Sequence, residues 1–122
     1  MRVLYVDDDR INTLLFEETC RFAGGFEVQT AGSGAEALEL VADFRPQVLV
    51  VDLHLPDTDG YALLPELRRA CGNAATPAFL CTAEEPSQVQ QAALQAGFAG
   101  CWTKPVDLNA MLADLARLRP TA

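Results

Sequence analysis

The sequence predicts an α/β fold in which helices cover both faces of a parallel five-stranded sheet. Five short apolar segments alternate with five segments of helical spacing, and strands joined through helices form right-handed crossovers in a parallel sheet. The third apolar segment, Val48–Val51, has no polar residue, as expected of a strand that helices cover on both faces. At 122 residues, the chain is predicted to form a single domain spanning residues 1–122.

The first two strand–helix pairs carry clear boundary signals. Val3–Val6 is an apolar strand candidate, and the helix after it ends at Gly24–Gly25 because consecutive glycines stop a helix. Phe26–Thr30 alternates in polarity, which predicts a strand nearer an edge of the sheet. Ser33–Glu36 has the capping-box pattern of a helix start. The apolar residues with helical spacing are Ile11, Leu14, Leu15 and Phe22 in the first helix and Leu38 and Val41 in the second.

The other three pairs repeat the pattern. Gly60 opens the third helix, Pro86 is a good first-turn residue for the fourth, and Asp107 caps the fifth. The predicted strands are Val48–Val51, Ala78–Cys81 and Gly100–Thr103. The apolar helix residues are Leu63, Leu64 and Leu67, then Val89, Ala92, Ala93 and Ala96, then Leu108, Met111, Leu112, Leu115 and Leu118, and the stops after the third and fourth helices are Cys71–Asn73 and Gly97.

Composition argues against several classes of protein. The formal net charge is −8, which argues against nucleic-acid binding because a basic surface would be needed to replace counterions. The apolar runs are far too short to span a membrane, and the N-terminus has no signal-peptide pattern, so a soluble, cytoplasmic protein is expected. Without paired cysteine spacing, and with one histidine, a zinc site is not expected. Thiols are expected at Cys20, Cys71, Cys81 and Cys101.

Acidic residues follow two of the predicted strands. Asp7, Asp8 and Asp9 come directly after the first strand, and Asp52 follows the third. The C-terminal ends of parallel strands form one edge of the sheet, where open sheets bind ligands. Crowded carboxylates repel one another unless a cation binds, and oxygen ligands suit a hard divalent ion such as Mg²⁺. Asp7 and Asp8 are the candidates for this ion, whereas Asp9 is the acid best explained as a helix cap.

Asp52 and residues after the last two strands complete a set suited to phosphoryl transfer. Beside a bound cation, Asp52 stays ionised and its oxygen can attack phosphorus. Lys104 follows the fifth strand, where its ammonium can pair with Asp52 and later with a phosphoryl oxygen. The hydroxyl of Thr82 and the next backbone N–H, that of Ala83, can bind another phosphoryl oxygen. His54, in the loop after Asp52, is either a solvated side chain or a direct participant.

A glycine-rich motif suggests a different ligand. Gly32–Ala37 fits the G-x-G-x-x-A pattern of dinucleotide-binding proteins. In those proteins the motif follows the first strand of the sheet. Here it follows the second, so dinucleotide binding is not expected.

The whole chain resembles a response-regulator receiver domain of two-component signalling, similar to the chemotaxis regulators. The resemblance covers all five strand–helix units and depends on four motifs: Val6-Asp7-Asp8-Asp9, the Asp52…Pro56…Gly60 loop, Thr82-Ala83 and Trp102-Thr103-Lys104-Pro105. It implies a flavodoxin-like, doubly wound sheet of strand order 2-1-3-4-5. It also implies a signalling switch rather than a metabolic enzyme. Such a switch takes up phosphoryl groups and loses them by autodephosphorylation.

The resemblance assigns a role to each residue of the site. Asp52 becomes the phosphoacceptor, Thr82 the switch hydroxyl and Lys104 the cation that pairs with the phosphoryl group. The Lys104–Pro105 peptide bond is expected to be cis, as is usual in the family. The Mg²⁺ ligands that the resemblance implies are Asp7, Asp8, Asp52 and the backbone carbonyl of His54.

One position departs from the family pattern, and two others lie where the family tunes its chemistry. Three residues before Lys104, the family usually has a tyrosine or phenylalanine whose ring moves inward when the threonine engages phosphate. Here that position is Cys101, followed by Trp102, so the standard aromatic switch is in question. His54 and Glu84 occupy positions that tune hydrolysis of the acyl phosphate in this family.

The resemblance also implies the partners. The phosphoryl donor would be a sensor histidine kinase or a histidine phosphotransfer protein, and the downstream target is not identified by the sequence. Ala96–Pro105 is similar to receivers attached to hybrid sensor kinases, so free-standing and excised forms both remain open. An aspartyl-phosphate phosphatase would need a second acid where His54 stands. A binding module that acts without phosphorylation would not need the complete set of site residues.

Overall fold

The computed structural model describes residues 1–104 and 107–118. In this part of the chain, strands and helices alternate in the predicted order. The strands are β1 (Arg2–Val6), β2 (Glu27–Ala31), β3 (Val48–Asp52), β4 (Ala78–Thr82) and β5 (Gly100–Thr103). The helices are α1 (Arg10–Ala23), α2 (Gly34–Phe44), α3 (Gly60–Ala70), α4 (Pro86–Ala96) and α5 (Leu108–Arg117).

The five strands form one sheet of order β2-β1-β3-β4-β5. Neighbouring strands are parallel throughout, so each connection crosses over through a helix. This is the flavodoxin-like, doubly wound arrangement, and it confirms the predicted fold. β3 and β4 are buried along their whole length, which explains their apolar sequences, whereas β2 lies at an edge, as predicted, and is partly exposed.

Two apolar cores lie on opposite faces of the sheet. Successive side chains of a strand point to opposite faces, so on β1 the side chains of Leu4 and Val6 enter one core and those of Val3 and Tyr5 enter the other. Helices α2, α3 and α4 cover the first core, and α1 and α5 cover the second. The loops that follow the strands lie at the C-terminal edge of the sheet, and they carry the polar residues.

Helix α1 packs a different side against the core than the apolar residues that predicted it. Thr13, Phe16 and Cys20 are buried, whereas the four residues whose spacing predicted the helix are exposed. Both sets recur with helical spacing, so periodicity predicts the helix without deciding which side packs on the sheet. Ala92 of α4 is likewise exposed. The exposed apolar residues of α1 are Ile11, Leu14, Leu15 and Phe22.

Side-chain caps fix where four helices begin. Asp9, Asp59 and Asp107 accept hydrogen bonds from backbone N–H groups in the first turns of α1, α3 and α5, respectively. In α2 the same role falls to Ser33, whose hydroxyl accepts from the N–H of Glu36 at 3.1 Å, as the capping-box pattern predicts. Part of the acidic character of the chain is therefore used at helix N-termini, where negative charge is favourable.

Three cysteines, Cys71, Cys81 and Cys101, are free thiols. Cys81 is buried in β4, and burial raises the pKa of its thiol. The thiolate that would bind a metal is therefore disfavoured at Cys81. In the described part of the chain, none of the helices combines the length and the apolar character needed to cross a bilayer.

Replacing Gly60 with alanine should destabilise the domain by about 2 kcal/mol, because α3 begins in close contact with β3 and β4. A Cβ atom at Gly60 would lie 2.8 Å from Cδ1 of Leu80 and 3.0 Å from the backbone oxygen of Asp52. Urea denaturation measures the difference. Gly32→Ala is the matched control, since its Cβ would meet Oε2 of Glu36 at an ordinary 3.6 Å. Equal stabilities of the two variants would contradict the packing argument.

Candidate functional site

Four strands bring polar residues to one edge of the sheet. The predicted site residues at these strand ends are Asp7 after β1, Asp52 as the last residue of β3, Thr82 as the last residue of β4 and Lys104 after β5. Because these four strands are adjacent and parallel, their C-terminal ends lie side by side. The residues therefore converge where open α/β sheets bind ligands.

Asp7, Asp8 and Asp52 form an acidic cluster. One carboxylate oxygen of each lies within 4.8 Å of the other two. Asp7 and Asp52 are buried, with 2% and 5% of their surfaces exposed, whereas Asp8 is exposed. Carboxylate oxygens that face one another and remain partly open to solvent fit Mg²⁺, which binds through a few carboxylates and keeps several waters. Asp9 instead caps α1.

The ammonium of Lys104 bridges the two buried carboxylates. Its Nζ lies 3.1 Å from Oδ2 of Asp52 and 3.2 Å from Oδ2 of Asp7. Burial alone would lower the pKa of Lys104, but the bond to Asp52 and the nearby negative charges outweigh burial and raise that pKa. Burial raises the pKa of Asp52, an effect that Lys104 opposes and the charge of Asp7 reinforces. Lys104 thus offsets the repulsion between the two acids.

Asp7 is also held by two residues that the sequence alone did not identify. The Tyr5 hydroxyl and the Asn12 side-chain amide each donate to Oδ2 of Asp7 at 3.3 Å, and the backbone N–H of Asp9 donates to Oδ1 at 2.9 Å. The ring of Tyr5 is stacked on Phe16, with centroids 4.4 Å apart. The available signals were a tyrosine in an otherwise aliphatic strand and an amide in the first turn of the next helix.

Thr82 links the ends of β4 and β5. It is fully buried, and its backbone carbonyl accepts a hydrogen bond from the N–H of Lys104 at 2.7 Å. Its hydroxyl oxygen accepts from the N–H of Glu84 at 3.1 Å. Ala83 follows and is exposed. The start of the β4–α4 loop is therefore held by the side chain of Thr82.

His54 and Glu84 join two loops beside the acidic cluster. Nε2 of His54 lies 3.0 Å from Oε1 of Glu84. His54 belongs to the β3–α3 loop and Glu84 to the β4–α4 loop, and both side chains are substantially exposed. The imidazole ring is thus engaged with Glu84, and the role expected of His54 in metal binding concerns its backbone carbonyl.

Cys101 and Trp102 point to opposite faces of the sheet. Cys101 packs against the core under α2, α3 and α4, and Trp102 lies in the core under α1 and α5. The Trp102 ring stacks on Phe79 with centroids 4.6 Å apart, and its Nε1 donates to Oδ2 of Asp114 at 2.8 Å. The ring is therefore anchored on the side away from α4. The expected cis bond at Lys104–Pro105 involves Pro105, which lies outside the described residues.

The glycine-rich motif has a partner within the chain. The N–H groups of Gly34 and Ala35, in the first turn of α2, both donate to the carboxylate of Asp57 at 2.9 Å. These two bonds lower the pKa of Asp57. In dinucleotide-binding proteins the corresponding helix N-terminus receives the pyrophosphate. In this chain it is bonded to a carboxylate from the β3–α3 loop.

Comparison with known proteins identifies the family. Residues 3–116 match the family model of the response regulator receiver domain. The chain is 36% identical over 118 residues to the response regulator MprA of Mycobacterium leprae and 34% identical over 118 residues to that of Mycobacterium avium. Each alignment covers 97% of this chain and 50% of the relative. The chain belongs to the response-regulator receiver family, and it spans about half the length of the curated relatives it matches.

Solved structures agree with the family assignment. The chemotaxis protein CheY4 of Vibrio cholerae superposes with a TM-score of 0.87 at 29% identity, over 97% of this chain and 98% of that one. The receiver domain of the Francisella response regulator 1452 gives a TM-score of 0.85 at 27% identity, over 96% and 94% of the two chains. The resemblance inferred from the motifs is therefore confirmed, and the fold is that of the CheY-like receivers.

Proposed function

We propose that this domain is the phosphoacceptor receiver of a two-component or phosphorelay system and that Asp52 takes up the phosphoryl group. The observation that supports this most directly is the 3.1 Å contact between Nζ of Lys104 and Oδ2 of Asp52. An ammonium held there can neutralise the carboxylate before transfer and pair with a phosphoryl oxygen afterwards. Family membership supplies the reaction class.

The proposed transfer makes one bond to phosphorus and breaks another. An Asp52 carboxylate oxygen attacks the phosphorus of a phosphohistidine on the donor. The phosphorus–nitrogen bond breaks, and its electron pair returns to the donor's imidazole. Water later hydrolyses the acyl phosphate on Asp52, which releases inorganic phosphate and resets the domain.

Asp7, Asp8, Asp52 and the backbone carbonyl of His54 are the residues that would hold Mg²⁺. The ion would supply positive charge to the oxygens of the transferring phosphoryl group. The Tyr5 hydroxyl holds the carboxylate of Asp7 in place, as the outer partners of metal ligands commonly do. The acidic cluster described above supports this assignment.

The proposed switch acts through the β4–α4 loop. The Thr82 hydroxyl oxygen accepts the N–H of Glu84. When the Thr82 side chain rotates so that its hydroxyl donates to a phosphoryl oxygen, the hydroxyl oxygen moves away from that N–H and the loop can rearrange. The N–H of Ala83 then binds a second phosphoryl oxygen. Movement of the loop would reposition α4, and the downstream protein would read the surface of α4 and β5.

The phosphodonor would dock on the first half of α1. Ile11, Leu14 and Leu15 are exposed there, and α1 starts immediately after the acidic residues. A cavity of about 130 Å³ between α1 and α5 is lined by Leu15 and Lys104 among others. An exposed apolar surface next to the acceptor suits a helix that carries a phosphohistidine. A sensor histidine kinase or a histidine phosphotransfer protein is the proposed partner.

Replacing Asp52 with asparagine should abolish phosphoryl uptake, because the amide is similar in size but is not a nucleophile. Intact mass measurement after exposure to acetyl phosphate and Mg²⁺ detects the added phosphoryl group. Circular dichroism should show an unchanged fold. Asp43→Asn, an exposed residue on α2, is the matched control and should take up phosphate normally. Uptake at the wild-type rate by Asp52→Asn would refute the assignment of the acceptor.

Mg²⁺ should stabilise the wild-type domain by about 2.7 kcal/mol at a hundredfold excess over its dissociation constant, since it binds the native state only. Asp8→Ala should weaken that binding, and its metal-free form should be at least as stable as the wild type because repulsion is relieved. Urea denaturation with and without Mg²⁺ measures both effects. Asp9→Asn keeps a good helix cap and removes the same charge, so it serves as the control. Unchanged Mg²⁺ affinity in Asp8→Ala would mean that the metal site does not include Asp8 and lies elsewhere.

Trp102 should stay equally buried when the phosphoryl mimic beryllium fluoride binds with Mg²⁺, because Phe79 and Asp114 hold its ring. Acrylamide quenching of fluorescence reports its exposure, and Trp102 is the single tryptophan of the chain. Asp114→Ala removes the bond to Nε1 and should raise the quenching, which establishes the sensitivity of the assay. A large change in quenching of the wild type on adding beryllium fluoride would mean that Trp102 has taken over the switch role of the missing ring.

A further inference from the structure

The loop after Asp52 is attached to a distant helix by one side chain. The carboxylate of Asp57 accepts hydrogen bonds from the backbone N–H groups of Gly34 and Ala35, each 2.9 Å long. These donors lie 23 and 22 residues away along the chain, in the first turn of α2. Both carboxylate oxygens are used, so the bonds fix the orientation of the side chain as well as its position. The partial positive charge of the helix N-terminus favours this arrangement.

The packing around Gly34 shows how closely the loop and α2 approach each other. A Cβ atom at Gly34 would lie 2.6 Å from Cγ2 of Thr58 and 3.4 Å from Oδ1 of Asp57. A larger residue at this position would have to displace the side chain of Thr58, because the loop packs directly on the start of α2. The contact and the two hydrogen bonds together make one packed unit of the loop and the start of α2.

Two further backbone bonds fold the loop on itself. The N–H of Leu55 donates to the carbonyl of Thr58 at 3.1 Å, and the N–H of Gly60 donates to the carbonyl of Leu53 at 2.9 Å. His54 forms an antiparallel bridge with Asp59 in the same turn. These contacts give the turn a defined shape, and Asp57 attaches the turn to α2.

We propose that Asp57 is a positioning residue for the Mg²⁺ site, since it anchors the β3–α3 turn to α2 and thereby holds the backbone carbonyl of His54 in place for the ion. The inference rests on the proposed function, in which that carbonyl is a ligand. Without the anchor, the turn samples other positions. Binding of the ion must then restore the position of the His54 carbonyl, and the cost of ordering the turn lowers the Mg²⁺ affinity. Mg²⁺ affinity therefore depends on a contact that touches neither the ion nor the acceptor.

Calorimetric titration with Mg²⁺ alone tests the anchor. Asp57→Ala removes both bonds and should weaken Mg²⁺ binding about fivefold, less than the roughly 10- to 100-fold loss typical when a direct partner of a metal ligand is removed. Asp57→Asn keeps one acceptor oxygen and should weaken it about twofold, on the same basis. Ser33→Ala is the matched control, because it removes a cap from the same end of α2 without loosening the turn, and it should bind Mg²⁺ like the wild type.

Amide hydrogen exchange gives a second readout that helix stability alone would not move. In the wild type, Mg²⁺ should slow exchange at Gly34 and Ala35, since the ion restrains the turn to which these amides are bonded. In Asp57→Ala, the same amides should exchange fast with or without Mg²⁺. In Ser33→Ala, the Mg²⁺-dependent protection should persist. This pattern would identify the anchor as the link between the ion and α2.

The outcomes separate this inference from the proposed function. Wild-type affinity in both Asp57 variants would overturn the anchor and leave the receiver function intact. Equal losses in Ser33→Ala and Asp57→Ala would assign the effect to helix stability and would also overturn it. A wild-type domain that binds no Mg²⁺ would overturn the proposed function and the inference with it. If Asp57→Ala does not fold, the Mg²⁺ affinity of Asp57→Asn and the Mg²⁺-dependent exchange of the wild type test the anchor. Wild-type affinity in Asp57→Asn, or no effect of Mg²⁺ on exchange at Gly34 and Ala35, would then overturn it.

Discussion

The burial of two neighbouring carboxylates is the constraint on which the structure of the site depends. Asp7 and Asp52 end adjacent strands and are almost inaccessible to solvent. Two buried negative charges side by side cost several kcal/mol without a positive charge near them, so a cation is needed beside both acids. Lys104 does so from β5, across the width of β4. Its backbone N–H is bonded to the carbonyl of Thr82, so the end of β4 sets the position from which the ammonium reaches the acids.

At the same edge of the sheet, four exposed acids bind helix N-termini instead of a cation. Asp9, Asp59 and Asp107 each satisfy backbone N–H groups at the start of the helix that follows them, and Asp57 does so for a helix earlier in the chain. Helix N-termini favour negative charge, so these carboxylates stabilise the loops around the site. The buried Asp7 and Asp52, with the exposed Asp8 beside them, are thus the acids whose charges need a cation, and the four capping acids hold the surrounding loops.

The sequence was sufficient for the order of elements, the sheet and the convergence of the site residues, because each depends on local spacing and on the common edge of parallel strands. It was insufficient for the packed side of α1, where Phe16 and Leu15 belong to two stripes of equal helical spacing. The bond from Tyr5 to Asp7, two residues along the chain, was not predicted although alternation places both side chains on one face of the sheet. The bonds between Asp57 and the start of α2 were not predictable, because the fold alone brings them together. The contact of Asp57 with Gly34 spans 23 residues, and neither residue signals the other.

If the domain is phosphorylated as proposed, strand β5 limits the routes by which that phosphorylation can be communicated. Its alternation turns Cys101, which has no ring, towards α4, while the Trp102 ring is bonded to Asp114 on the opposite face. In the proposed switch, the mobile contact is therefore the bond from the N–H of Glu84 to the hydroxyl of Thr82, and a single hydrogen bond contributes about 1 kcal/mol, small enough to be exchanged for one to a phosphoryl oxygen. Because Glu84 also contacts His54 in the loop after Asp52, movement of this loop would change the entrance to Asp52. Under the proposed function, the output and the lifetime of the phosphoryl group would then be governed by the same loop.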